Sequence, residues 1–255
     1  MTAIILAAGY ATRLYPLTQN FPKTLLPVAG RPILAYTLEK LAECQDIERI
    51  YIVTNRKFYK RFQDWLRDYR CRAGMNQPIE ILNDGTSANE DRLGSIGDLL
   101  YAIESRGIDD DILVICSDKM FEFSLSGFVD YFKQKGAPVN TGFDTGDVEI
   151  IKDRHGCLVL DGNNRIVEFQ EKPAEPKSTI ESVAFYIYPK EVIPLIKRYR
   201  DEGNNLDAPG FLAQWVATVM SMYAYLFTGE CHDVGTLESY KDIDRLYSER
   251  RGCEC

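Results

Sequence analysis

The chain has 255 residues with 45% hydrophobic and 27% charged side chains, enough for a sizeable core in one α/β domain or in two small lobes sharing a cleft. A formal net charge of −8 excludes a general nucleic-acid surface, which would carry a basic stripe, although a few local cations could still build an anion pocket. No stretch approaches the roughly 20 apolar residues of a membrane span, and no charged and apolar leader precedes the first strand, so neither a membrane nor export is expected. The seven cysteines are scattered and odd in number, which fits reduced thiols in a cytoplasmic protein better than a disulfide framework. Cys253-Glu254-Cys255 lacks a partner pair that would complete a metal site.

The first element is a short apolar run, Ile4-Ile5-Leu6, without polar alternation, as suits a strand covered on both faces. It breaks into Ala7-Ala8-Gly9, where little side chain blocks an approach to the backbone. A small-residue turn after a parallel strand exposes N–H groups that can hold phosphate, and Arg13 and Lys23 add two cations nearby. Taken alone, Gly9 is a common loop glycine, because the spacing is neither the dinucleotide fingerprint nor a P-loop.

Arg31-Pro32-Ile33-Leu34 opens a helix with Pro at its first turn, and Leu34, Leu38 and Leu41 recur at helical spacing as core residues. A strand over Arg49–Thr54 precedes a charged helix over Lys57–Arg70, whose Phe58, Phe62, Trp65, Leu66 and Tyr69 form a packing face. Pro78–Leu82 is a third strand, Asn83–Arg92 a polar loop, and Leu93, Ile96, Leu100 and Ile103 mark the next helix. Asp111–Ser117 reads as a buried strand ending at Asp118. This alternation predicts a parallel, doubly wound sheet with ligands at the carboxyl ends of its strands, where Asp118 would sit unless it merely caps a turn.

From Val148 the pattern changes to short strands and turns. Asp161-Gly162-Asn163-Asn164 joins Cys157–Leu160 to Arg165–Phe169 as a hairpin, leading into Glu171-Lys172-Pro173 and a strand over Ser182–Tyr188. Helices over Glu191–Arg200 and Pro209–Met220, a strand over Met222–Phe227 and a last helix to about Arg245 follow, the last one capped by Thr236. Asp233 could share that capping, and His232 reads as a packing neighbour.

Four blocks together resemble the sugar-phosphate nucleotidylyltransferases. Leu6-Ala7-Ala8-Gly9-Tyr10-Ala11-Thr12-Arg13-Leu14-Tyr15-Pro16-Leu17-Thr18, then Pro22-Lys23-Thr24-Leu25-Leu26-Pro27-Val28, matches that family's signature at nearly every position, with Ala11 in place of a second loop glycine. Ser117-Asp118-Lys119, the run from Gly156 to Glu171-Lys172-Pro173, and Asp233-Val234-Gly235-Thr236 follow in the family's order, and the resemblance covers about residues 3–245. It implies the nucleotide-diphospho-sugar transferase fold: a Rossmann-like mixed, mostly parallel sheet flanked by helices, with a small β-rich sugar-binding subregion. On this reading the chain is one domain, with a nucleotide-binding half to about residue 118, an acceptor-binding half over about 119–245 and a tail over 246–255.

The resemblance implies transfer of a nucleoside monophosphate from an NTP to a sugar 1-phosphate with release of pyrophosphate. Leu6, Ala7, Ala8, Gly9, Tyr10, Ala11 and Thr12 would surround the nucleotide, with Gly94 against its base and Asn89 or Arg92 at the base edge. Asp118 and Asp233 would hold Mg²⁺, Arg13 the β- and γ-phosphates, and Lys23 the α-phosphate. Lys172 would position the attacking sugar phosphate, Glu171 a sugar hydroxyl, and Gly156 would border the acceptor. Lys119 would contact phosphate or point to solvent. No covalent nucleophile is required, since the acceptor phosphate is already ionised. Two rivals share the motifs: the same chemistry on a non-sugar phosphomonoester such as phosphocholine, suggested by Ser117 and Ala184, and a non-catalytic relative that binds sugar nucleotides. Many members of the family are oligomers, so the resemblance also admits a homo-oligomer.

Overall fold

The computed structural model describes residues 1–73 and 77–253. From the amino terminus come β1 (Thr2–Leu6), 3-10 turns over Thr12–Leu14 and Lys23–Leu25, and the small antiparallel ladder of β2 (Pro27–Val28) with β3 (Arg31–Pro32). Then follow α1 (Ile33–Ala42), β4 (Arg49–Thr54), α2 (Tyr59–Ala73), β5 (Ile79–Asn83), α3 (Ser95–Arg106) and β6 (Ile112–Cys116). The second half holds β7 (Lys119–Phe121), α4 (Leu125–Lys135), β8 (Val139–Asp144), α5 (Val148–Ile151), β9 (Gly156–Leu160), β10 (Ile166–Gln170) and β11 (Ile180–Tyr188). It closes with α6 (Ile193–Asp201), α7 (Pro209–Val219), β12 (Tyr223–Leu226), β13 (Cys231–Asp233) and α8 (Leu237–Cys253).

A nine-stranded sheet forms the middle layer, its main path β10-β9-β11-β6-β1-β4-β5, with β8 paired to β11 and β12 to β8. Strands β6, β1, β4 and β5 are parallel, as expected where helices return the chain across a face. Beyond β6 the sheet turns antiparallel through β11, β9, β10 and β8, so the two halves share one sheet. Alternation along β1 explains its uniform burial. Ala3 and Ile5 join the core under α1, α2 and α4, while Ile4 and Leu6 join the core under α3, α6 and α7. Leu34, Leu38 and Leu41 are fully buried in the first of these, and the aromatic face of α2 packs there as expected.

Four local expectations are corrected. Pro32 precedes α1 and ends β3 instead of lying within the helix. Leu93 stays outside α3 and exposed, because Gly94 at φ 80° interrupts the helical run before Ser95. Val148–Ile151 forms the short helix α5, capped by the Asp147 carboxylate. The last helix runs to Cys253 instead of ending near Arg245, since Tyr247 packs edge-on against Tyr36 at 5.6 Å and Arg250 pairs with Glu230 at 2.6 Å. Residues 246–253 are therefore helix, while the side chains of the terminal cysteines lie outside the described residues. No described helix is long and apolar enough to cross a membrane.

Candidate active site

The loop after β1 is fixed from both sides. Ala7 donates its backbone N–H to the Val53 carbonyl at 2.8 Å, and the Ser117 hydroxyl donates to the Leu6 carbonyl at 2.6 Å. Asn55, fully buried, donates its side-chain amide to the Ala8 carbonyl at 2.8 Å and accepts from the Phe58 N–H at 3.0 Å. These two bonds to a buried amide fix the course of the small-residue turn. A cavity of about 150 Å³ lies over the turn, lined by Leu6, Ala7, Ala8, Gly9 and Ala11 together with Lys23, Ser95, Asp98 and Asp118. A methyl added to Gly9 would meet no protein atom within 4 Å, so the room there is left for something other than the chain itself. Ala11 adopts the left-handed conformation, φ 49° and ψ 48°, which explains why glycine suits this position in the resembling signature.

Not every expected nucleotide contact faces this cavity. Tyr10 turns its ring inward against Phe58, and its hydroxyl meets that of Thr86 at 3.5 Å, because a phenol gains more from burial than from the open turn. Thr12 starts the following 3-10 turn and stays exposed. Asn89 lies on a 3-10 turn off the cavity wall, and Arg92 is engaged with the Asn89 carbonyl and the Asp207 carboxylate. Gly94 lies beside Ser95 on the wall, and a methyl there would collide with the Leu206 backbone.

Asp118 and Asp233 are brought together from positions far apart in sequence. β13 pairs antiparallel with β7, setting Asp233 opposite Lys119, and the Val234 N–H donates to the Asp118 carbonyl at 2.9 Å. Lys23 reaches Asp118 Oδ2 at 2.9 Å. Burial pushes the Asp118 carboxyl up, but the Lys23 and Lys119 ammoniums outweigh it and hold the carboxyl at about 2. Burial likewise works against charge on Lys119, and the carboxylates of Asp233, Asp118 and Glu181 overcome it. Lys119 thus lines the cleft as a fixed cation instead of pointing to solvent. Asp233 Oδ1 is buried with no hydrogen-bond partner among the described residues, an arrangement that fits a bound cation. Among the described residues no three His, Cys, Asp or Glu side chains converge as a complete cage. Two carboxylates suffice for Mg²⁺, which takes its other oxygens from water and phosphate. His232 turns aside to Glu230 at 2.7 Å.

A larger cleft of about 780 Å³ opens beside these carboxylates, with Arg13, Asp118, Lys119 and Asp233 on one wall. The opposite wall carries His155, Gly156, Glu171, Lys172, Ser182, Ala184 and Tyr186. Glu171 is wedged between Gly156 and Gly210, and a methyl at Gly210 would overlap its carboxylate. Its own backbone N–H donates to Gln214 Oε1 at 2.7 Å, so α7 holds the end of β10 in place. Burial raises the Glu171 carboxyl against the opposing pull of Lys172, whose Nζ lies 4.0 Å away. Lys172 itself sits at φ 49°. His155 Nδ1 lies 3.1 Å from Glu181 Oε1, and burial lowers the imidazole. Ser182 donates to Asn140 Oδ1 at 2.7 Å, and Asn140 in turn donates to the carbonyls of Val183 and Phe185.

Leu6, Ala7, Ala8, Gly9 and Ala11, both carboxylates and the Glu171-Lys172 pair therefore border two adjoining spaces that share Ser95, Cys116 and Asp118, whereas Tyr10, Thr12, Asn89 and Gly94 do not. Sequence reasoning missed Asp98, Asn55 and His155. Asp98, an acidic residue in the first turn of α3, reads as an ordinary helix-start carboxylate and carried no distinct signal.

The profile of the nucleotidyl transferase family matches residues 2–250. A Sulfolobus acidocaldarius protein assigned as a mannose-1-phosphate guanyltransferase is 30% identical over 244 residues, 96% of this chain and 62% of its own length. A UTP–glucose-1-phosphate uridylyltransferase from a Synechocystis strain is 30% identical over 248 residues, 94% of this chain and 61% of that protein. The chain thus spans about three fifths of the length of these curated relatives. A solved Bacillus anthracis structure, assigned as a glucose-1-phosphate thymidylyltransferase in complex with a sucrose, matches with a TM-score of 0.81 and 25% identity, covering 98% of this chain and 96% of that one. UDP-glucose pyrophosphorylase complexed with UDP-glucose matches with a TM-score of 0.80 at 19% identity over 98% of each chain, a likeness of fold.

Proposed function

The chain belongs to the nucleotidyl transferase family, and from that premise we propose that it moves a nucleoside monophosphate from an NTP to a sugar 1-phosphate, releasing pyrophosphate and forming an NDP-sugar. The observation that carries this reading is the junction of the two spaces: Asp118 lines both the small-residue cavity, where Lys23 reaches it, and the Glu171-Lys172 cleft, where Lys119 and Asp233 lie beside it. Two polyanions meeting there must be neutralised and aligned, and the side chains present are of the kind that does both.

In this mechanism the turn Ala7–Gly9 receives the nucleotide, and Arg13 at the mouth of the cleft neutralises the departing pyrophosphate. Lys23, held beside Asp118, neutralises the α-phosphate at the transition state. Lys172 positions the acceptor phosphate, while Glu171 accepts a sugar hydroxyl from its seat against Gly210. Lys119 adds a fixed positive charge beside both carboxylates. Asp118 and Asp233 would hold Mg²⁺, which when bound offsets negative charge on the phosphate oxygens. Attack by the ionised acceptor phosphate is direct and inverts phosphorus.

The acceptor wall presents Glu171, Ser182, His155 and Tyr186, polar groups suited to hydroxyls, whereas a trimethylammonium acceptor calls for an aromatic cage. The scattered thiols fit a cytoplasmic site of action, and light scattering tests the homo-oligomer. The reading is tested by Asp118→Asn and Asp233→Asn. Each is expected to abolish Mg²⁺-dependent turnover while leaving the melting temperature almost unchanged. Turnover near the parent level in both variants, or their gross unfolding, would overturn these assignments.

A further inference from the structure

The floor of the small-residue cavity holds a group that the reaction above does not use. Asp98, in the first turn of α3, is only 6% exposed, yet it lines the cavity beside Ala8, Ser95 and Ser117. Among the described residues its Oδ1 is buried without a hydrogen-bond partner. Burial, together with the carboxyl of Asp84 beside it, raises the Asp98 carboxyl, so this acid pair keeps a proton. Asp84 is held in turn: Thr86 donates its N–H at 2.7 Å and its hydroxyl at 2.8 Å to Asp84 Oδ1, and the Tyr10 hydroxyl meets Thr86. The chain thus spends a buried network on presenting an acid to an open cavity. An interior carboxyl that meets no N–H or hydroxyl donor among the described residues, and has only a second acid beside it, is costly unless a ligand supplies a donor to its other oxygen.

We propose that Asp98 determines the choice of nucleobase: an oxygen of its carboxyl accepts the ring N–H of a lactam-type base (guanine, uracil or thymine), with Asp84 holding the acid in place. This inference rests on the nucleotidyl-transfer reading and specifies the nucleotide that site takes. The chemistry follows from the proton balance of the pair. With one proton bridging Asp98 to Asp84, Asp98 presents the cavity with an acceptor. Guanine N1–H and uracil or thymine N3–H donate at the equivalent edge position, whereas adenine N1 and cytosine N3 would set lone pair against lone pair. The backbone of Ala7–Gly9 and the Lys23 ammonium line the same cavity and suit the phosphate end of the same ligand. The network also gives Tyr10 a role: its hydroxyl supports the acid pair from the loop.

The test is equilibrium binding of GMP, UMP, TMP, AMP and CMP to the whole chain, read by calorimetry for the parent, Asp98→Asn and Asp98→Leu. The parent is expected to bind at least one of GMP, UMP and TMP at least tenfold more tightly than AMP and CMP. Asp98→Asn, whose amide can donate to Asp84 and still present an oxygen, keeps that order within a few-fold. Asp98→Leu, which has no acceptor, collapses it. An unchanged preference in Asp98→Leu, or a parent that prefers AMP or CMP, overturns the role of Asp98 while leaving nucleotidyl transfer standing. Failure of every nucleotide to bind the parent overturns both.

Discussion

At the scale of single residues, Lys23 links the two charges on which the account depends. It neutralises Asp118 at 2.9 Å and lines the cavity over the small-residue turn. Lys23→Ala and Arg13→Ala are each expected to lower kcat by roughly 100- to 1,000-fold, as for other single transition-state donors. Steady-state kinetics with saturating Mg²⁺ check this, and near-normal turnover in both variants would sink it. Asp98 gives a pH prediction with a definite sign. Burial and the neighbouring Asp84 raise its carboxyl from 3.8 to about 8, so the folded chain keeps a proton that the unfolded chain releases. Its contribution therefore erodes stability as pH rises from about 4 to about 8. Asp98→Asn should raise the melting temperature by a few degrees at pH 8 and by much less at pH 4.5, and equal shifts at both would contradict this. Arg13 and Lys23 stood out through the resemblance of the stretch around them to the family signature, and the structure sets Arg13 in the cleft lining and Lys23 in the cavity lining. Asp98 did not, since it falls on the side of α3 opposite Ile96, where a helical periodicity reading places solvent. Only the fold puts a cavity there.

At the scale of elements, close backbone approaches position the functional groups. α7 begins against the end of β10, and Gly210 leaves room for the Glu171 carboxylate. Gly210→Ala should displace that flexible carboxylate and raise the acceptor KM about tenfold or more, with a small change in kcat and little loss of stability. An unaltered acceptor KM would remove Glu171 from the acceptor site. Gly94 is different, because its neighbour is the Leu206 backbone, which cannot yield, and its φ is 80°. Gly94→Ala should cost about 1–3 kcal/mol, seen as a lower melting temperature by roughly 2–4 °C per kcal/mol. The strand over Arg49–Thr54 was readable to the residue, and the hairpin of β9 and β10 nearly so, since each follows from short-range periodicity and turn residues. The β7–β13 ladder was not, because its pairing joins short segments with no local signal. The resemblance alone named Asp118 and Asp233 together, and the ladder supplies the physical reason that they meet.

At the scale of the whole molecule, one sheet divides the labour. Its parallel half, β6-β1-β4-β5, places the small-residue turn and Asp118 at the carboxyl ends of β1 and β6, where ligands of such sheets bind. Its antiparallel half, built on β11 and the β9–β10 hairpin, supplies the facing wall with Gly156, Glu171 and Ala184. The switch from parallel to antiparallel falls between β6 and β11, beside the cleft. Strand-helix alternation made the first half legible as a fold. In the second half the individual strands and helices were legible, but their order in the sheet was not, because antiparallel pairing order is set by long-range contacts. The most direct measurement of the central claim is pyrophosphate release with Mg²⁺ across the common NTPs, each paired with several sugar 1-phosphates and with phosphocholine, and with Asp118→Asn as control. The account predicts release with a sugar 1-phosphate pairing and its loss in the control. Silence across the panel from a folded protein that still binds a nucleotide sugar would contradict it.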